Sequence, residues 1–296
     1  MMTGFLLVIL AGICWIGIGV SVSICAKRGW NYDLVQGLNY FGAAIICAVI
    51  LLSSATPQAD WRVFALNSLG GIANFYTYVL TAKAMRIGPN GLIWGIMQAG
   101  MIGSTLMGIF CFGENPAPLR LTGLFLIIGG VLAMGLARDQ KSAAESKKWL
   151  TYALAAFCLV MLTHCCNTLP SFIAKTVKTS SVFRTFGMYF GGVLGFAFST
   201  LPGVIRKKQF GGKGEWITAG ILIVSNTSAS CFFFYRGMDL LAEAGVGGIG
   251  YPLSIGVCIT GFSLYSICLL KEKIARLGLA GLAAVCIGII AITIRT

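Results

Sequence analysis

Long apolar stretches alternate with short polar ones along the whole chain. Windows nearly free of charge fall at residues 4–25, 34–54, 63–82, 90–112, 119–137, 149–169, 185–203, 216–238, 246–269 and 276–294. A bilayer core takes roughly 20 apolar residues in a helix, and a charge at its centre costs about 3 kcal/mol even on lenient scales. The pattern therefore predicts an all-α integral membrane protein of ten transmembrane helices joined by short loops. The longest hydrophilic connectors, 138–148 and 206–215, are too short to fold as domains. The first apolar run has neither a basic leader nor a small-residue cleavage site, so it is expected to be a retained helix rather than a signal peptide.

Composition sharpens this picture. Hydrophobic residues make up 57% of the chain and charged residues 10%, against about 25% charged in soluble domains, which excludes a water-soluble fold. The excess of 22 Lys and Arg over 9 Asp and Glu would suggest nucleic acid in a soluble protein. Here the basic residues sit between apolar runs and read as orientation signals and contacts with anionic lipid. Loops 26–33, 83–89, 138–148, 204–215 and 270–276 hold fifteen of the 22, and the opposite side, with Lys175, Lys178 and Arg184, holds seven. Positive-inside counting then puts the first set in the cytoplasm and both termini outside. The eleven cysteines lie mostly inside apolar runs without Cys-x-x-Cys spacing, and they read as small buried hydrophobes rather than disulfides or metal ligands. Asn226-Thr227-Ser228 matches a glycosylation pattern but lies inside a span. No phosphate-binding loop and no His-Glu-x-x-His occur, so neither a nucleotide-driven module nor a cofactor or metal is expected.

The two halves of the chain resemble each other. Phe112-Gly113-Glu114, Gly123 and Gly130 return at one offset as Leu270-Lys271-Glu272, Gly281 and Gly288. Gly88-Pro89-Asn90-Gly91-Leu92-Ile93-Trp94-Gly95 parallels Gly245-Val246-Gly247-Gly248-Ile249-Gly250-Tyr251-Pro252, and Tyr40-Phe41-Gly42 parallels Tyr189-Phe190-Gly191. Residues 1–137 and 149–296, joined by 138–148, are expected to be two five-helix repeats. Five is odd, so the second copy enters the membrane inverted, an arrangement that suits alternating access to a midplane site.

Five plus five helices, with Gly-Glu ending the fourth and a glycine-rich fifth, resemble the ten-helix, EamA-like drug/metabolite transporter superfamily. Lys27-Arg28-Gly29-Trp30, Gly71-Ile72-Ala73-Asn74-Phe75, Phe232-Phe233-Phe234-Tyr235 and Leu270-Lys271-Glu272 are more narrowly similar to its L-rhamnose–proton symporter and sugar-uptake branch. The resemblance implies alternating access around a central polar cavity. It also implies cytoplasmic termini, which the charge count opposes.

Polar groups inside spans cost free energy unless satisfied, so they mark candidate cavity positions. His164, the one histidine, shares a helical face with Asn167 and Thr168. It reads as a proton-handling group or as a neutral histidine bonded to a neighbouring helix. Arg236 and Asp239 lie three apart, as a pair open to a polar substrate and, for Asp239, to protons, or as an interfacial ion pair; Glu243 follows one turn later in solvent. Asn74 and Tyr78, with Tyr235 at the matching depth of the second repeat, offer hydrogen bonds to a neutral polar solute or to helix–helix contacts. Trp94 and Tyr251 correspond beside Gly/Pro clusters, and Gln98 follows Trp94 by one turn. Interrupted helices of this kind point to a transporter's binding site, or the aromatics simply pack. Gly187, Gly191 and Gly195 form a helix-packing ridge, and Glu114 and Glu272 are boundary anchors.

The expected function is secondary active transport of a small polar, sugar-like solute, coupled to protons, by a monomer or homodimer in a cell membrane of bacterial inner-membrane type. Its partners would be the solute, membrane lipids and protons, with no nucleic acid. Export of a metabolite, amino acid or cation fits the same architecture, and an intramembrane enzyme is the alternative of another class. The spans show no paired aspartates and no Gly-x-Ser-x-Gly, and His164 next to Cys165 is the one weak nucleophile pair, so the chain is not expected to be an enzyme.

Overall fold

A computed structural model describes residues 2–53, 60–112, 118–136, 145–173, 179–244, 250–271 and 275–293. Glu114 and Glu272 lie outside the described residues, as does Ser142 in the central connector. With no water in the hydrocarbon to satisfy peptide groups, apolar runs take the one conformation that bonds its own backbone. Accordingly the described residues fold into helices: α1 Met2–Arg28, α2 Tyr32–Ser53, α3 Trp61–Met85, α4 Asn90–Gln98, α5 Ile102–Phe112, α6 Pro118–Leu136, α7 Glu145–Ile173, α8 Ser181–Ser199, α9 Leu201–Lys207, α10 Lys213–Ser228, α11 Tyr235–Glu243, α12 Gly250–Cys268 and α13 Arg276–Thr293.

Local chemistry sets several ends. Asp60 caps α3 by accepting from the Arg62 amide at 2.8 Å, and Ser180 caps α8 by accepting from that of Phe183 at 3.1 Å. Gly29, at φ 67°, ends α1 while the Trp30 amide reaches back to the Cys25 carbonyl at 2.9 Å.

Seven helical rods among the described residues are long and apolar enough to cross a membrane, and α8 with α9, bent by 47°, makes an eighth. The expected ten is thus supported for seven or eight by length and composition. Among the described residues, α6 and α13 contribute the apolar stretches Leu121–Gly130 and Arg276–Ala291. Large apolar side chains such as Phe41, Phe110, Phe125, Phe198, Ile221 and Ile287 stand exposed on many helices, as lipid-facing positions do.

Glycines set the crossings. A methyl on Gly71 of α3 would overlap the Met188 carbonyl of α8, and one on Gly191 would overlap the Ser68 carbonyl of α3. The ridge of Gly187, Gly191 and Gly195 lies along α3. Helices α6 and α13 meet reciprocally, Gly130 on the Gly281 backbone and Gly288 on that of Gly123. Between these contacts α3 packs on α7 and α8, α1 on α12 and on the α10–α11 rod, α2 on α8 and α10, and α4–α5 on α7 and α12.

Two rods lose regular geometry midway. A 3₁₀ turn at Ala99–Met101 separates α4 from α5, and a π-helical segment at Ala229–Phe234 separates α10 from α11. The tighter 3₁₀ turn and the wider π turn each break the α-helical register and re-aim the residues that follow.

Candidate functional site

The π segment borders one central cavity of about 610 Å³ of empty space, its mouth included, and Gln98, the residue before the 3₁₀ turn, reaches the same cavity. Helix α1 contributes Trp15, α2 Gln36 and Tyr40, and α3 Asn74 and Tyr78. Gln98 enters from the last residue of α4, while Thr163, His164 and Asn167 share one face of α7. Met188 and Tyr189 come from α8, Asn226 from α10, Ser230 and Phe234 from the π segment, Tyr235 from α11, and Tyr251 from the start of α12.

The wall is aromatic and amide-rich. Trp15 packs on Phe234 at 4.8 Å between ring centroids, Phe234 on Tyr251 at 4.5 Å, and Tyr251 on His164 at 4.4 Å. The Tyr40 hydroxyl donates to Asn74 Oδ1 at 2.7 Å, and the Tyr235 hydroxyl to Met188 Sδ at 3.7 Å. Asn167 turns its Nδ2 toward Met188 Sδ at 3.3 Å, and Asn226 turns its own toward Asn39 Oδ1 at 3.5 Å. That leaves the carbonyl oxygens of Asn167 and Asn226, and Nδ1 of His164, buried without hydrogen-bond partners among the described residues. Buried polar atoms are nearly always bonded, and three that lack a partner stand around this one cavity. No Asp or Glu lines the cavity among the described residues.

Of the residues singled out from sequence, Asn74, Tyr78, Gln98, His164, Asn167, Tyr235 and Tyr251 meet on this wall. Trp94 does not. It is fully buried one layer behind, stacked on Tyr78 at 6.4 Å and packed on Phe262 at 5.1 Å, because the face of α4 that carries it turns toward α3 and α12. Arg236 is exposed and off the wall. The anticipated link between Arg236 and Asp239 is replaced by one across helices. Arg184 of α8 donates from Nη1 to Asp239 Oδ1 at 2.9 Å and from Nη2 to the Asn167 carbonyl at 3.1 Å, with Cζ 4.4 Å from the Tyr235 ring centroid.

Sequence reasoning passed over Gln36, Tyr40, Asn226 and Arg184. Gln36 and Tyr40 stand one turn apart in a span, a signal of the same kind as Asn74 and Tyr78. Asn226 sits within a glycosylation pattern, and Arg184 reads in sequence as a charge at the loop end of a span.

The opposite end of the bundle is tied across the two halves of the chain. Glu215 accepts from the Gly212 amide through Oε2 at 2.5 Å and from the Asn31 amide through Oε1 at 2.7 Å, so one carboxylate joins the start of α10 to the turn before α2. Arg86 Nη2 donates to the Trp30 carbonyl at 2.8 Å, and the Arg28 guanidinium lies 4.8 Å from the Trp30 ring centroid.

No protein-family model matches the chain. The guanidinium exporters of Salmonella typhimurium (strain LT2) and Salmonella typhi are each 27% identical to it over 100 residues, which are 30% of this chain and 94% of theirs. Neither is named as a sugar symporter. A solved structure described simply as a crystal structure of a protein superposes with a TM-score of 0.59 over 98% of this chain and 96% of its own, at 12% identity, a likeness of fold alone. By its apolar helices and this partial similarity, the chain is an all-helical, multi-pass, transporter-like membrane protein.

Proposed function

We propose that the chain is a secondary transporter that exports a small, donor-rich organic cation of guanidinium type by alternating access. The observation that carries this reading is the cavity itself, in which unpartnered amide oxygens of Asn167 and Asn226 stand among aromatic faces. A delocalised cation is held by π faces and gives its N–H groups to carbonyl oxygens. The similarity to guanidinium exporters supports the same choice over sugar import. Exchange of protons for the cation is assigned to Asp239 and His164. Cell-membrane placement with the Glu215 end in the cytoplasm follows the charge count.

The packing supports two inverted five-helix repeats, 1–137 and 149–296. Helix α1 contacts α12 and the α10–α11 rod as α7 contacts α4–α5 and α3, while α2 meets α8 and α6 meets α13 directly. Two halves related in this way can rock about the fixed cavity.

A sugar-like solute is the second reading, favoured by the amides and tyrosine hydroxyls and by the lack of a lining carboxylate among the described residues. Counterflow in proteoliposomes separates the two. Guanidinium is expected to exchange in a saturable, protein-dependent manner that responds to a pH gradient, and L-rhamnose is not. Exchange of L-rhamnose without guanidinium would reverse the assignment, and exchange of neither would remove both.

A further inference from the structure

Two free thiols meet where α2 passes the π segment. Cys47 Sγ and Cys231 Sγ lie 3.7 Å apart as a hydrogen-bonded pair, and their residues are 0% and 5% exposed. They stand 184 residues apart, one in each half of the chain, so spacing along the sequence gives no sign of the contact. Both belong to a buried cluster with Tyr40, Tyr189 and Phe196. Tyr40, Tyr189 and Ser230, the neighbour of Cys231, also line the central cavity, so the thiols are part of the packing behind its wall.

The pair is the last of three links between α2 and the rod that starts with α10, and their order shows that the two run parallel. Glu215 Oε1 accepts from the Asn31 amide at 2.7 Å, Asn226 Nδ2 meets Asn39 Oδ1 at 3.5 Å, and the thiols touch beyond them. From Glu215 to Cys231 is roughly 24 Å of helix. The first two links are hydrogen bonds, which break and re-form as helices move. The third can become covalent. Its sulfurs need to approach by roughly 1.7 Å to reach the disulfide distance, a shift on the scale of a side-chain rotation.

We propose that Cys47 and Cys231 are a redox site that hydrogen peroxide closes to a disulfide, joining the two halves of the chain covalently and arresting their movement. One sulfur attacks a peroxide oxygen, the O–O bond breaks, and the departing hydroxide takes that thiol's proton as water, leaving a sulfenic acid. The second sulfur then attacks the first, the S–O bond breaks, and hydroxide leaves with the second thiol's proton as another water. Two thiols lose two electrons and one peroxide gains them. Peroxide is small and neutral, as entry into an apolar layer requires. With the Glu215 link at one end of the α2–α10 pair and a covalent bond toward the other, the far end can no longer part. The arrest of transport rests on the alternating-access reading above; formation of the bond does not.

The test uses the full-length protein, reduced, treated with hydrogen peroxide, alkylated, digested and mapped by mass spectrometry. The Cys47 and Cys231 peptides are expected to be linked, and dithiothreitol to separate them. In the linked protein, amide hydrogen exchange in α2 and α11 is expected to slow about threefold, and guanidinium counterflow in proteoliposomes to fall about tenfold. Dithiothreitol should restore both, which irreversible oxidation elsewhere would not allow. Cys47→Ser, or Cys231→Ser if the first does not accumulate, should keep its amide exchange and counterflow under the same treatment. Unlinked peptides after peroxide would overturn the redox site, and linked protein with unchanged amide exchange or undiminished counterflow would overturn the lock. Linkage and slowed amide exchange in a protein that shows no guanidinium counterflow even when reduced would keep site and lock and remove the transport reading.

Discussion

Asn226 and Trp94 show how little of a residue's role follows from its type alone. Asn226 is a small polar residue with its amide nitrogen engaged at 3.5 Å and its carbonyl oxygen unpartnered beside the cavity. Trp94 is large, aromatic and fully buried, but its neighbours are Tyr78 and Phe262 rather than empty space. Removing an acceptor that bonds the solute costs on the order of 1.4 kcal/mol, or tenfold in affinity. Asn226→Ala is therefore expected to weaken guanidinium binding about tenfold, and Trp94→Phe to leave it within about threefold. Calorimetric titration of both purified variants reads this directly. A folded Trp94→Phe protein that binds more weakly than Asn226→Ala would move the tryptophan onto the wall and the asparagine off it.

At the scale of the element, the α10–α11 rod carries the chemistry through its irregularity. The π segment at Ala229–Phe234 inserts a wide turn just before Tyr235 and Asp239, and so sets the direction in which α11 presents them. Each residue of an α-helix turns the chain by about 100°. Deleting one residue from this segment would restore α-helical winding and rotate Tyr235 and Asp239 away from Arg184. Phe232 is the position to delete, since its side chain is 56% exposed and points away from the core. The deletion variant is expected to keep its helical circular dichroism and lose guanidinium exchange, while Phe232→Ala keeps both. Full exchange by the deletion variant would show that the wide turn is dispensable. Glycine-lined crossings are the complementary feature, because Gly71 and Gly191 let α3 and α8 touch backbone to backbone and hold the Arg184 side of the cavity in place.

For the molecule as a whole, the two ends differ in chemistry. At one end Glu215 links the turn before α2 to the start of α10, and α1, α3 and α9 finish in basic residues. The other carries Asp239, partly open, with Arg184 sealed behind it. Under the proposed orientation, in which the basic end is retained in the cytoplasm during insertion, Asp239 is the outward group. Gly212, exposed beside Glu215, offers a probe of this orientation. A cysteine at Gly212, in a background with the other cysteines replaced, is expected to react with an impermeant maleimide only after the cells are permeabilised. Labelling in intact cells would invert the molecule.

The apolar windows by themselves determined an all-helical membrane protein, because transfer free energy is a property of each residue and backbone satisfaction in lipid leaves one local solution. They also marked Asn74, Tyr78, Gln98, His164, Asn167, Tyr235 and Tyr251, each a polar group where polarity is costly. What these residues meet was decided only by the tertiary structure. Asp239 pairs not with Arg236, three residues away, but with Arg184, 55 residues away, because the winding of the π segment and the glycine crossings fix which helix faces turn inward. Trp94 falls behind Tyr78, and Gln36, Tyr40 and Asn226 reach the cavity, for the same reason. Helix rotation and helix pairing are contacts between distant parts of the chain, and hydrophobic periodicity carries no information about them.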